Sequence, residues 1–100
     1  MVACLARYHR KRPPREGDVE LSLLDEQGRE RLYRLASILR IADGLDYHHG
    51  GAVRGVECRI GEDEVVIKVT SRTDWVDEEA AARGKADLFE RTFGRKVRLE

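Results

Sequence analysis

The apolar residues of this chain change their period once, and they do so across a glycine pair. Up to Ala42 they fall three and four apart, so that Leu32, Leu35, Ala36, Ile38, Leu39 and Ala42 share one face of a long helix. From Val53 they fall two apart. Val56, Cys58 and Ile60 alternate with charged residues, and Val65, Ile67 and Val69 alternate again after Gly61-Glu62-Asp63-Glu64, the pattern of a β-hairpin. A chain that passes from helical to strand period at Gly50 and Gly51 belongs to the α+β class. Its halves are a helical segment over 1–50 and a sheet-bearing unit over 51–100, together one compact domain.

Local signals divide these halves further. Val2, Leu5, Ala6 and His9 recur at helical spacing without a capping residue ahead of them, so the chain is expected to open inside a helix cut from a larger bundle. Pro13 and Pro14 stop that helix, because neither ring nitrogen donates a hydrogen bond. Ser22 with Asp25 predicts the start of the second helix as a capping box, and Gly28 is its weak point. Asp74 and Asp77 open a third helix in the same manner. That helix carries Ala82, Ala86, Phe89 and Phe93 on one stripe and ends at Gly94, before a short strand with Val97 and Leu99. The second half therefore reads β-β-α-β.

Composition narrows the partners. One hundred residues bury a small core, and 19 basic against 19 acidic side chains leave no net charge to draw the chain to nucleic acid or to a membrane surface. No apolar run approaches the ~20 residues that cross a bilayer, no leader pattern is visible, and the cytoplasm is the default location. Cys4 and Cys58 form no CxxC pair and stand among apolar neighbours, so both are expected as small core residues with free thiols.

The residues with chemistry cluster in two places. In Leu39-Arg40-Ile41-Ala42-Asp43-Gly44-Leu45-Asp46-Tyr47-His48-His49, Asp43 points from the apolar stripe of its helix, and Asp46 stays near that face. A bare carboxylate in an apolar seam costs several kcal/mol unless it is paired, hydrogen-bonded or metal-bound. His9, on the buried side of its own helix, is the expected partner of Asp43. Either the two form a satisfied polar cluster with Asp46 and Arg10, or they belong to a divalent-metal or phosphate site with His49. His48 and His49, being adjacent, point in different directions and do not both join one site. The second cluster is Arg7, His9, Arg10 and Lys11 within a run of five cations and no acid over residues 1–15. It is either a solvated helix end or a polyanion-binding segment.

Three stretches resemble one family. Tyr8-His9-Arg10-Lys11 followed by Pro13, then Leu39-Arg40-Ile41-Ala42-Asp43-Gly44-Leu45-Asp46 with a trailing His49, then Ala86-Asp87-Leu88-Phe89-Glu90-Arg91-Thr92-Phe93-Gly94-Arg95, are similar to the C-terminal region of exopolyphosphatase/guanosine pentaphosphate phosphohydrolases. The resemblance spans nearly the whole chain in order and spacing. It implies two helices of a truncated HD-like bundle followed by the small α+β unit, with His9, Asp43 and His49 at positions of HD-like motifs and Arg7, Arg10 and Lys11 meeting phosphate. It places the catalytic acids and their divalent cation, Mg, in actin-like domains whose motifs this sequence does not contain. No cofactor is expected for the chain alone, and Asp46-Tyr47-His48 replaces the family's usual Asp-Arg-Ser. The expected role is an accessory region that binds polyphosphate or a guanosine polyphosphate. The alternatives are an HD-type metal phosphohydrolase completed by another chain, and a non-enzymatic module that forms a homodimer through Val66 and the flank of the first helix.

Overall fold

The computed structural model describes residues 24–100, and within them the fold is α+β as expected. Its elements run α1 (Glu26–Leu45), β1 (Val53–Ile60), β2 (Glu64–Ser71), α2 (Val76–Gly84), α3 (Asp87–Phe93) and β3 (Lys96–Leu99). The first helix read from Val2 to His9 lies outside the described residues.

Helix α1 starts later than the capping box at Ser22 predicts. Asp25 is the N-cap, and its carboxylate accepts from the Gly28 amide at 2.7 Å. Leu32 and Ala36 are buried as expected, whereas Leu35, Ile38, Leu39 and Ala42 form a second apolar stripe that is exposed. The buried arc instead includes Ser37, Arg40, Ile41 and Gly44. Burial follows the approach of α2 and α3, against which α1 packs. At Gly44 the contact is between backbones: a Cβ there would lie 2.6 Å from the Ala82 nitrogen. Hydropathy periodicity does not register that kind of contact.

The hairpin forms with Cys58 opposite Ile67 and Ile60 opposite Val65, around a turn in which the Gly61 amide donates to the Glu64 carbonyl at 2.8 Å. Beyond the hairpin the single third helix becomes two, because the chain breaks at Lys85 and Ala86. Trp75, not Asp74, holds the N-cap position of α2 and offers no side-chain cap bond; Asp74 accepts from the Val76 amide two residues on, and Asp77 turns to His48 instead of completing a capping box. Gly94 ends α3 in the left-handed region at φ 65°, as expected. The two short helices form the crossover that lets β3 pair parallel to β2, in the sheet order β1-β2-β3.

Two apolar clusters hold these layers. Ile41, Val65, Ile67, Ala82, Ala86 and Leu99 join α1 and α2 to the sheet, and Leu32, Ala36 and Leu88 join α1 to α3. Val66 is 5% exposed, which removes it from the surface on which a dimer contact was expected. It is held on the central strand, where Arg59 and Arg98 flank it. Cys58 is exposed rather than in the core, and so are Val56 and Ile60 beside it. Alternation identified their face of the strand correctly, but the helices cover β2 and β3 and leave β1 bare.

Candidate functional site

Of the residues expected to carry chemistry, Arg7, His9, Arg10 and Lys11 lie outside the described part of the chain. Asp43, Asp46, His48 and His49 are brought to one corner, where the end of α1 meets the start of α2. The corner follows from Gly44. Its missing side chain lets α1 and α2 touch, and that places Asp43 beside Lys85, the residue that closes α2.

Lys85 Nζ donates to Asp43 Oδ2, with the two side chains 25% and 18% exposed. Asp43 is thus half-buried and charge-paired, the company that an acid on an apolar face requires. One turn earlier the buried Arg40 reaches towards Asp87, the first residue of α3, at 3.8 Å. Asp46 terminates α1, and its carboxylate meets His49 Nδ1 at 3.1 Å; His49 itself takes a left-handed backbone conformation at φ 54°. His48 points the other way and meets Asp77 at 2.8 Å. The hydrogen bond to Asp77 raises the His48 pKa above its ordinary 6.5, desolvation opposes it, and the charges of Glu78 and Asp77 add to the rise. The four residues therefore make three separate pairs rather than one ligand set. Among the described residues no three His, Cys, Asp or Glu side chains converge to hold an ion.

Beside this corner a cavity of about 690 Å³ opens between the loop at Gly50 and Gly51 and the segment from Arg72 to Glu78. Its polar walls are His48, Arg72, Asp74, Asp77 and Glu78, the last only 3% exposed. Three carboxylates there outweigh one guanidinium and one imidazole, so the cavity carries net negative charge and disfavours an anion.

A second cavity, about 700 Å³, was not foreseen from the sequence. It lies between the first turns of α1 and the end of α3, and Arg29, Arg34 and Arg91 converge on it together with Tyr33 and Thr92. Arg29 Nε donates to the Leu24 carbonyl at 3.2 Å and Arg91 is 3.8 Å from Asp87, so two of the three guanidinium groups are anchored at one edge while the rest of each fork is free to bond elsewhere. Glu26 and Glu30 also border the cavity. The signal was present as a polar stripe at helical spacing, Glu26, Arg29, Glu30, Tyr33 and Arg34, and as Arg91 and Thr92 within the third motif. What sequence spacing could not supply is that Leu88 packs against Leu32 and Ala36 and so brings the two stripes together.

Compared with known proteins, the chain matches no family model and no curated protein.

Proposed function

We propose that this chain is an accessory binding unit for polyphosphate or a guanosine polyphosphate, of the kind found at the C-terminal end of exopolyphosphatase-like phosphohydrolases, with the hydrolytic chemistry supplied outside it. The observation that carries this reading is the convergence of Arg29, Arg34 and Arg91, with Tyr33 and Thr92 beside them, on one groove. Planar guanidinium forks match phosphate oxygens in pairs. Arg91 and Thr92 belong to the third of the stretches that carry the family resemblance, so the motif and the groove support the same reading. Glu26 and Glu30 restrict the groove to ligands of high charge density, because a single carboxylate or sulfate would gain too little to offset them.

Calorimetric titration of the full chain with short-chain polyphosphate tests the proposal. Binding is expected, with an affinity that falls steeply as salt is added. The double substitution Arg34→Ala and Arg91→Ala should weaken it at least tenfold, since each lost charge-assisted contact is worth about 1.5–3 kcal/mol. Absence of saturable binding at low salt, or binding indifferent to both arginines, would refute the assignment of this groove.

A further inference from the structure

The two edges of the sheet are treated differently. On β3 the strand is short, cationic at Lys96 and Arg98, and two of its outward backbone groups are occupied: the Val97 amide donates to Glu90 Oε2 at 2.9 Å, and Arg83 donates to the Leu99 carbonyl at 3.5 Å. These are common devices against edge-to-edge pairing. Strand β1 has eight residues, no lysine and no proline, and pairs in unbroken register from Val56 to Ile60, its one irregularity lying back between Val53 and Gly55. Because the Gly61 amide bonds across the hairpin, the backbone groups of Arg59 and Glu57 also face β2. Those of Val56, Cys58 and Ile60 face outward, and among the described residues nothing bonds to them. Their side chains add an apolar strip, with Val56 51% and Ile60 73% exposed.

We propose that this edge pairs with the same edge of a second copy, antiparallel and centred on Cys58, to give a continuous six-stranded sheet. The register is argued from the sequence of the strand itself. Centred on Cys58, each Val56 faces Ile60 of the second copy and each Glu57 faces Arg59 of the second copy, so apolar meets apolar and every charge meets its opposite. Shifting the centre to Glu57 sets Glu57 against itself, and centring between Val56 and Glu57 sets Arg54 against Arg59. In the Cys58 register the outward amides and carbonyls of Val56, Cys58 and Ile60 fall into hydrogen-bonded pairs. The two Cys58 Cα atoms then lie about 5.5 Å apart, within disulfide reach. The partner is a second copy of this chain, because the strand is its own complement in this register. The contact lies on the edge of the sheet away from α3, so it is independent of the arginine groove.

The test uses the full chain with two charge variants. Sedimentation should show a dimer, and mild oxidation with copper phenanthroline should couple Cys58 to Cys58 of the second copy, as read by peptide mapping. Glu57→Arg alone and Arg59→Glu alone should each raise the dissociation constant about tenfold or more by setting like charges opposite each other. Mixed one to one, the two variants should associate as tightly as the unsubstituted chain, since every pair in the mixed dimer is again of opposite sign. A chain that remains monomeric with Cys58 uncoupled, or a mixture that associates no better than either variant alone, overturns the proposal. Polyphosphate binding is read separately, so failure here leaves the groove assignment standing or falling by its own titration.

Discussion

Asp43 and Gly44 act as one device at the scale of single residues. The glycine lets two helices touch, and the touch delivers Lys85 to the acid beside it. Gly44→Ala should therefore destabilise the chain by about 1–3 kcal/mol, because the added methyl meets Ala82 backbone that has little room to retreat. Chemical denaturation with Asp43–Lys85 intact in both proteins would measure it. The need of Asp43 for a partner was legible from its place on an apolar face, but Lys85 was not, because only the close helix crossing selects it. His48 offers a pH-dependent counterpart. Its pKa is raised in the folded state by the hydrogen bond to Asp77, with the nearby acidic charges adding to the rise. The stabilisation is thus complete below the unfolded value of about 6.5 and is lost as pH rises through the higher folded value. The imidazole proton resonance of His48 should titrate above its ordinary value, and Asp77→Asn should bring it back down. A His48 titration that is unchanged by that substitution would separate the contact from the shift.

Among the elements, the helix ends were more legible than the helix faces. Gly94 stops α3 as its residue type demands, and Asp25 serves α1 as a cap although the sequence pattern predicts Ser22. Asp25→Ala should cost about 1 kcal/mol in thermal or chemical unfolding, since the Gly28 amide then loses its cap contact. The same substitution at Asp46 should cost less, because that exposed carboxylate pairs with a solvated imidazole rather than with a helix amide. The faces misled for a physical reason. Periodicity reports which side of an element is apolar, and it is silent on what lies against that side. Leu35, Ile38 and Leu39 on α1, and Val56, Cys58 and Ile60 on β1, all belong to apolar stripes, yet the two short helices after β2 cover neither stripe. The break at Lys85 and Ala86 was hidden likewise: Ala82, Ala86, Phe89 and Phe93 keep helical spacing straight through it, and Phe89 stacks on Phe93 at 4.5 Å on the far side.

For the molecule as a whole, stability and association are linked. The apolar interior of the described fold is divided into two modest clusters, and Leu88 is one of its few side chains that are wholly buried. A chain of this length has a small margin against unfolding, on the order of 5–15 kcal/mol at best. Any contact that only the folded chain can make then shows in its melting temperature. If β1 edges pair, a tenfold rise in chain concentration adds about 1.4 kcal/mol per dimer, or roughly 0.7 kcal/mol per chain. For a domain of this size that is a melting temperature about 3–5 °C higher. The increment should vanish in Val56→Lys with Ile60→Lys, which places four cations along the paired edges without touching either buried cluster. Leu88→Ala should do the opposite. It lowers the melting temperature at every concentration, by an amount set by about 2–5 kcal/mol of lost packing, but leaves the slope against concentration intact. Differential scanning calorimetry across a concentration series distinguishes the two: an edge contact changes the slope, and a core contact changes the intercept.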